Sequence, residues 1–171
     1  PHDVKGVIAR HGGKEALCDK LDAIFTANSR LEGKSLPDIS GMIGQYAHGN
    51  EPSHHIAYLY TYAGQGWKTQ ERVRQIMNEM YTTERDGICG NEDCGQMSAW
   101  YIMSAMGFYP VCPGTDQYVF GSPLFEEMTV DVGNGRTFII KTENNSDKNR
   151  YIQSVSLNGM DYSKTYISHD D

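Results

Sequence analysis

The segment from Gly95 to Phe108 restricts the fold of this chain more than any other stretch does. Its side chains, which include Met97, Trp100 and Met106, are apolar on nearly every side of a helix. A helix of this kind cannot lie on a protein surface, because water would meet apolar groups at whichever face was exposed. We therefore expect a buried helix with packed neighbours on all sides.

Apolar residues also recur at helical spacing through the first two-thirds of the chain. The apolar faces occupy residues 4–8, 17–25, 56–63 and 73–80. Asp3 is placed as the N-cap of the first helix, and the Gly12-Gly13 pair is expected to end it. Residues 28–38 are polar and predict a surface loop. Pro52 and Ser53 are expected to open the third helix.

Short runs of β-branched and aromatic residues follow Pro110, and such runs are typical of strands. They cover residues 118–120, 128–132, 137–141 and 151–157. Gly133-Asn134-Gly135 separates the second run from the third and predicts a hairpin turn, because these residues accept positive φ angles at low cost. Helices that precede strands, rather than alternate with them, indicate two packed parts. We predict a mainly α part over residues 1–110 and a small antiparallel β-sheet over residues 111–171.

Charge and cysteine usage exclude several classes of function. The chain has 15 Lys and Arg against 22 Asp and Glu, a net charge of -7, and no long basic run, so we expect no nucleic-acid partner. No apolar stretch approaches the roughly 20 residues that span a bilayer, so we expect no membrane span. The four cysteines include no CxxC pair typical of zinc, and a disulfide between Cys89 and Cys94 remains open. Asn144-Asn145-Ser146 fits a glycosylation acceptor pattern.

Acidic and amide side chains are concentrated in the loop 90–95, directly before the apolar helix. One interpretation is a polar turn in which Asp93 caps the helix. A cap needs one acceptor, however, and this loop holds the amide Asn91 and two carboxylates, Glu92 and Asp93. The like charges of the two carboxylates repel by an amount comparable to the roughly 1 kcal/mol of a cap. The alternative is that a water, a metal ion or a sugar hydroxyl binds among them. A carboxylate at a helix N-terminus stays ionised, which suits a general base.

A second concentration of polar residues lies in the segment 48–55. It reads as an ordinary helix start, with Ser53 as the cap, or as a binding site. Adjacent helical residues point about 100° apart, so His54 and His55 cannot hold one zinc ion unless a third group closes the site. Asn50 and Glu51 offer oxygen atoms in a turn, which suits a hard cation such as calcium better.

Four long motifs, taken in order, carry a resemblance to a known family. They are PHDV at the start, HGNEPSHHIAYLYTYAGQGWKTQ, GNEDCGQMSAWYIMSAMGFYPVCPG and YVFGSPLF. Together they resemble glycoside hydrolase family 92, the calcium-dependent exo-acting α-mannosidases found mainly in bacteria. The resemblance covers nearly the whole chain. It implies that these residues form the last helices of an (α/α)6 barrel and the strands beside it, packed against an N-terminal part of the same parent chain.

The resemblance also implies a reaction. Family members hydrolyse terminal mannose with inversion, by one carboxylic acid that protonates the leaving oxygen and one carboxylate that activates water. A calcium ion holds the 2- and 3-hydroxyls of the mannose and helps to distort its ring. The general acid of the family pattern is a Glu that falls upstream of Pro1, so the isolated chain is expected to be inactive.

The family pattern assigns roles to residues of both polar segments. Asp93 falls on the position of the general base, and Asn91 falls where some members carry a second Asp, so both are expected at the catalytic centre. We expect the calcium ligands and the substrate-binding residues to be Asn50 and Glu51 for the metal, and Glu51, His54, Glu92 and Gln96 for the sugar.

The resemblance therefore predicts an α-mannosidase, with α-1,2 as the commonest linkage of the family, that takes part in the degradation of N-glycans. By resemblance alone, its location would be extracytoplasmic, in the periplasm or at the surface of a bacterium. One alternative is a non-catalytic, calcium-dependent carbohydrate-binding module that uses the same aromatic residues without a base. A purely structural helical domain is a further alternative, and it would bind no sugar.

Overall fold

The computed structural model describes residues 2–33 and 39–171. The helices are α1 (Val4–Arg10), α2 (Lys14–Thr26), α3 (Leu59–Tyr62), α4 (Gly66–Met80) and α5 (Gln96–Met106), and two 3-10 turns, Glu51–Ser53 and Ile56–Tyr58, precede α3. The strands are β1 (Met42–Ile43), β2 (Tyr46–Ala47), β3 (Phe108–Tyr109), β4 (Gln117–Phe120), β5 (Glu127–Gly133), β6 (Arg136–Lys141), β7 (Ser156–Leu157), β8 (Met160–Asp161) and β9 (Tyr166–Ser168). Helices with small antiparallel sheets are found as predicted, but the order differs in one place, because the β1–β2 pair lies between α2 and α3. The division at residue 110 stays a prediction.

Local signals set the ends of the first two helices. Asp3 accepts a hydrogen bond from the backbone N–H of Gly6 at 2.8 Å and caps α1, as predicted. Gly12 and Gly13 have φ angles of 88° and 120° and separate α1 from α2, because only glycine adopts such angles without strain. Residues 28–33 of the predicted surface loop are exposed. Its remainder, residues 34–38, lies outside the described residues.

The third helix does not open at Pro52 as predicted. The chain from Glu51 to Tyr58 makes two 3-10 turns, and α3 begins only at Leu59. Ser53 caps nothing, since the residue at the N-cap position of the first turn is Asn50, without a side-chain cap bond. The cause is a tertiary contact: the backbone carbonyl of His54 accepts a hydrogen bond from Trp100 Nε1 at 3.0 Å. That carbonyl is turned toward α5 instead of into a regular helix.

The strand region is partly as predicted. β5 and β6 form the expected hairpin, and Asn134 and Gly135 in its turn have φ angles of 54° and 70°. β4 is the middle strand of an antiparallel sheet in the order β3-β4-β9. The strand predicted over residues 151–157 is wrong except for its end, β7, which pairs with β8. The backbone N–H of Ile152 donates instead to Gln70 Oε1 on α4 at 2.9 Å, so a side chain and not a strand satisfies it.

The core lies between α2, α3, α4 and α5. Trp100, Tyr58 and Tyr60 are fully buried there, and Val73 and Ile76 of α4 are buried beside them. The expectation that α5 is covered on all sides is not met within the described part of the chain. Ile102, on its opposite face, is 57% exposed. α4 and β3 pack against α5, and the rings of His48, His54 and Tyr81 lie around Trp100 on its buried face.

Two further expectations concern cysteine and membranes. Cys89 and Cys94 are both free, so the disulfide left open by the sequence does not form. Within residues 2–33 and 39–171, no helix combines the length and the hydropathy needed to cross a membrane.

Candidate active site

Two glycines bring the two polar segments into contact. A Cβ atom at Gly49 would lie 2.5 Å from the carbonyl oxygen of Cys89, and one at Gly90 would lie 2.9 Å from the carbonyl oxygen of Gly49. Real Cβ atoms do not approach backbone oxygens so closely, so no larger residue fits at either position without a shift of the backbone. The segment 48–55 and the loop 90–95 are therefore pressed together, although about 40 residues separate them in sequence.

The loop before α5 has an unusual backbone. Asp93, Cys94 and Gly95 have φ angles of 52°, 57° and 93°, which makes three left-handed residues in succession. The carbonyl oxygen of Glu92 accepts from the backbone N–H groups of Gly95 and Met97 at 3.2 and 3.3 Å. The N-cap of α5 is Gly95, with no side-chain cap bond, so the interpretation of Asp93 as the cap is wrong. The Asp93 carboxylate is exposed and accessible to solvent.

Glu92 spans this left-handed turn. Its Oε1 accepts from the backbone N–H of Ser98 at 2.9 Å, and its Oε2 accepts from the Ser98 hydroxyl at 2.8 Å. Both carboxylate oxygens of Glu92, which the sequence assigned to the sugar, are thus bonded to the first turn of α5.

A hydrogen bond between His54 and Gln96 joins the two segments. Gln96 Nε2 donates to His54 Nδ1 at 2.9 Å and to the hydroxyl of Tyr109 at 3.1 Å. His54 Nε2 lies 3.0 Å from the carbonyl oxygen of His48. A carbonyl only accepts, so Nε2 carries the proton and Nδ1 accepts from Gln96. His54 is therefore a neutral imidazole whose two ring nitrogens are both engaged.

The surroundings of His54 act on its pKa in two directions. Burial lowers the pKa of His54, while its hydrogen bond to the His48 carbonyl and the negative charges of Glu51 and Asp93 act in the opposite direction. Glu51 belongs to the same segment as His54, and Asp93 lies three residues before Gln96, which bonds to His54.

A buried chain of hydrogen bonds lies beneath this pair, and the sequence did not predict it. The Tyr46 hydroxyl lies 2.8 Å from His48 Nδ1, His48 Nε2 lies 2.7 Å from the Tyr81 hydroxyl, and Tyr81 donates to the carbonyl of Met97 at 3.1 Å. Because Tyr81 donates onward, His48 Nε2 carries a proton and Nδ1 accepts from Tyr46. Burial lowers the pKa of His48 to about 3, and the nearby His54 adds to the shift. His48 begins the HGNEP motif, which was the only signal available in the sequence.

The predicted site residues around the contact between the two segments form two groups. His54 and Gln96 are brought together directly. Asp93 and Glu51 are exposed near them, and Asn91, also exposed, precedes Asp93 in the same loop. His55 does not share a ligand position with His54, and among residues 2–33 and 39–171 no three His, Cys, Asp or Glu side chains are grouped to hold a metal ion.

Asn50 and Glu51 fit part of a calcium shell. They carry an amide and a carboxylate oxygen at the start of a turn, and their side chains make no hydrogen bond to the described residues. Calcium takes about 6–8 oxygen ligands, so these two supply a minority of a shell.

Comparisons with known proteins place the chain in a family. The sequence matches the model of the glycosyl hydrolase family 92 catalytic domain over residues 1–171. A family GH92 α-mannosidase from Bacteroides thetaiotaomicron has 44% identity and a TM-score of 0.89 over 99% of this chain. The same enzyme in complex with mannoimidazole gives a TM-score of 0.91. A family GH92 inverting mannosidase from the same organism has 40% identity and a TM-score of 0.83, again over 99% of this chain.

A curated relative from Arthroderma benhamiae, described as an uncharacterized secreted glycosidase, is 28% identical over 99% of the chain. The chain spans only part of these proteins: 22% of the α-mannosidase, 24% of the inverting mannosidase and 20% of the secreted glycosidase. The matched region nevertheless runs through both polar segments and all the contacts described above. On these grounds, the chain belongs to glycosyl hydrolase family 92.

Proposed function

We propose that the chain forms the general-base side of the catalytic domain of an exo-acting, inverting α-mannosidase. One observation carries this proposal. The exposed Asp93 carboxylate projects from a loop that the Gly49–Gly90 contact and the His54–Gln96 hydrogen bond fix against the segment containing Glu51. Support comes from two relatives, of which one is named as an inverting mannosidase and the other was solved with mannoimidazole.

The chemistry proposed for Asp93 needs an exposed, ionised carboxylate. Asp93 removes a proton from a water molecule, whose oxygen forms a bond to the anomeric carbon. The glycosidic carbon–oxygen bond breaks, and the leaving oxygen takes a proton from the general acid on the other face of the sugar. In inverting enzymes the two carboxyl groups are about 6.5–9.5 Å apart, which leaves room for this water. The family resemblance puts the acid upstream of Pro1, and we propose that it is contributed by another part of the catalytic domain.

We assign the ground-state contacts to the neighbours of Asp93. Both bonds of Gln96 Nε2 are made to protein atoms, so its Oε1 is left as an acceptor for a sugar hydroxyl. Asn91 is exposed in the same loop and offers an amide to the sugar or to the attacking water. His54 holds Gln96 in place and contacts the sugar only if its hydrogen bond opens.

Calcium is the proposed cofactor, with Asn50 and Glu51 as the ligands that this chain contributes. Asn50 and Glu51 would hold the ion, and it would supply a positively charged contact for hydroxyl groups of the mannose. Because Glu51 and Asn50 belong to the same segment as His54, an ion held there would orient the sugar with respect to Asp93. The other ligands would be oxygens of the substrate and of the rest of the catalytic domain.

The remaining proposals concern context. An α-1,2 linkage in N-glycans is the substrate that the family resemblance favours, and an extracytoplasmic location agrees with the relative described as secreted. The exposed face of α5 around Ile102 is proposed to pack against the other helices of an (α/α)6 barrel. Such packing would satisfy the demand of an apolar helix for neighbours on every side.

The test uses the full-length protein that carries this chain, α-1,2-mannobiose and calcium, with release of mannose as the measurement. Asp93→Asn is expected to lower kcat by a factor of about 10²–10⁴ and to leave KM within about threefold, because a base acts in the transition state. Asp86→Asn, a change of an exposed acid in another turn, is the matched control. A raised KM with unchanged kcat would make Asp93 a binding residue. Binding without any turnover by the wild type would favour the carbohydrate-binding module.

A further inference from the structure

The left-handed turn that carries Asp93 is strained. The left-handed region is unfavourable for most L-residues, less so for Asp and Asn, and glycine adopts it at little cost. Cys94, with a φ angle of 57°, carries this strain, and Asp93, with a φ angle of 52°, carries part of it. Strained residues persist where the surrounding structure fixes them, and they cluster at functional sites. Some contact must therefore hold this turn in place.

Glu92 provides that contact from the N-terminal side of the turn. Its carboxylate reaches the backbone N–H and the hydroxyl of Ser98, six residues later, at 2.9 and 2.8 Å. Its backbone carbonyl accepts from the N–H groups of Gly95 and Met97. The backbone and the side chain of Glu92 are thus both attached to the start of α5. The strained residues form a closed loop between these attachments.

The bonds to the Glu92 carboxylate are of the stronger kind. Hydrogen bonds to an ionised acceptor are roughly twice as strong as neutral ones. The dipole of α5 also favours a negative charge at its N-terminal end. Two of the roughly four acceptor sites of this carboxylate are thus bonded to Ser98.

We propose that Glu92 is the positioning residue of the base: its carboxylate, bonded to Ser98, holds the left-handed turn 93–95 and so aims the Asp93 carboxylate. This inference rests on the proposed role of Asp93. Without Glu92, the turn relaxes toward right-handed backbone angles and Asp93 moves away from the attacking water. A misplacement of about 1 Å costs on the order of 10²-fold in rate.

The experiment measures kcat and KM of the full-length protein on α-1,2-mannobiose for three variants of this contact. Glu92→Ala removes both bonds and is expected to lower kcat about 10- to 100-fold while KM stays within about twofold. Glu92→Gln keeps an acceptor for the Ser98 N–H and is expected to recover most of the lost kcat. Ser98→Ala removes one of the two bonds and should give a smaller loss than Glu92→Ala.

A double variant separates positioning from a general structural effect. If Glu92 acts through Ser98, then Glu92→Ala combined with Ser98→Ala is expected to lose no more kcat than Glu92→Ala alone, because the two residues form one unit. Glu126→Ala, at an exposed acid far along the chain in the strand region, is the control. Thermal unfolding of each variant checks folding, and should Glu92→Ala fail to fold, Glu92→Gln and Ser98→Ala carry the comparison.

The outcomes that overturn the inference are distinct from those that overturn the role of Asp93. A strong rise in KM with unchanged kcat in Glu92→Ala would make Glu92 a sugar ligand. If kcat and KM of all the variants equal those of the wild type, Glu92 has no role in positioning Asp93. In both cases the inference fails. Asp93→Asn, measured beside them, tests the base separately: if it retains full kcat, the proposed function fails as well.

Discussion

At the scale of single residues, backbone strain is the property that distinguishes the loop before α5. Gly95 has a φ angle of 93°, and a Cβ atom at this position would meet no other atom within 4 Å. Any cost of a larger residue there is therefore purely conformational. This makes Gly95 a clean probe of the strain that Asp93 and Cys94 already carry.

Gly95→Ala is expected to lower the free energy of unfolding by about 1–2 kcal/mol, which is the cost of a left-handed L-residue. Gly66→Ala is the matched control, because Gly66 begins α4 with an ordinary φ angle. Alanine in a helix is better than glycine by about 0.5–1 kcal/mol, so the control should be stabilising or neutral. Urea unfolding measures the free energy of unfolding of both variants. If Gly95→Ala stabilises the protein as Gly66→Ala does, residue 95 is not strained by its left-handed backbone.

A second residue-scale property is the buried, neutral His48. It is enclosed by Tyr46, Tyr81, His54 and Trp100, with no acid in hydrogen-bonding contact. Its pKa is about 3 in the folded protein, whereas an unfolded histidine has a pKa of about 6.5. Between these values the unfolded state binds more protons, so stability falls as the pH decreases through about 6.5.

The expected loss of stability between pH 8 and pH 5 is about 2 kcal/mol from His48 alone. We expect His48→Gln to be less stable than the wild type at pH 8 but to lose about 2 kcal/mol less on acidification. His11→Gln, a change of an exposed histidine, should retain the wild-type pH dependence. Urea unfolding at both pH values decides this. An acid-induced loss in His48→Gln as large as that of the wild type would contradict the linkage.

The sequence indicated which segments come together better than it indicated the contacts of their residues. Clustered acids and amides pointed to the segments of Asp93, Glu51 and His54, because so many acceptors in one turn need a reason. The hydrogen bonds between Glu92 and Ser98 could not be predicted from the sequence, because they depend on a left-handed turn that brings residues six positions apart into contact. The sequence also gave no pattern for a hydrogen-bond chain that passes from His48 to Tyr81, 33 residues later.

At the scale of elements, the sequence predicted those that follow from local periodicity. The apolar faces and the caps located α1, α2, α4 and α5, and Gly133-Asn134-Gly135 located the β5–β6 hairpin. The sequence failed where a distant side chain determines the backbone. Trp100 donates a hydrogen bond to the His54 carbonyl, and the chain there forms 3-10 turns where a helix was expected. Gln70 accepts a hydrogen bond from the backbone N–H of Ile152, where a strand was expected.

The junction between α4 and the strand region depends on a buried arginine. Arg74 is 2% exposed, and its Nη2 donates to the carbonyl of Pro123 at 2.5 Å and to Asn145 Oδ1 at 2.9 Å. Asn145 Nδ2 donates to the same Pro123 carbonyl at 3.1 Å. This network attaches the segment after β4 and the segment after β6 to one helix.

Arg74→Lys is expected to destabilise the protein by about 1–3 kcal/mol, because a lysine ammonium cannot reproduce the planar geometry with which the guanidinium reaches both the Pro123 carbonyl and Asn145 Oδ1. Arg10→Lys, in the exposed last turn of α1, is the control and should be close to neutral. The two variants are compared by urea unfolding. If Arg10→Lys lowers the free energy of unfolding as much as Arg74→Lys does, the hydrogen bonds of Arg74 do not stabilise the protein more than a surface arginine does.

At the scale of the whole molecule, this chain buries one face of its central helix and exposes the other. Ile102 on α5 is 57% exposed and Trp67 on α4 is 52% exposed. Isolated exposed apolar residues are common, but a helix as apolar as α5 is expected to have neighbours on every side. The chain also spans only 20–24% of the length of its relatives. Both facts agree with the proposal that a larger catalytic domain covers α5 and completes the site.

This proposal makes a prediction for the 171-residue chain by itself. Inversion requires an acid and a base on opposite faces of the sugar, and the candidates here, Asp93 and Asn91, lie together in one loop. Loss of general acid catalysis costs a factor of about 10²–10⁴, and loss of positioning costs more. The isolated chain, with its helices verified by circular dichroism, is therefore expected to release no mannose from α-1,2-mannobiose in calcium, whereas the full-length protein does. Calcium-dependent turnover near that of the full-length protein would mean that the chain contains its own acid, and that the separation of acid and base proposed here is wrong.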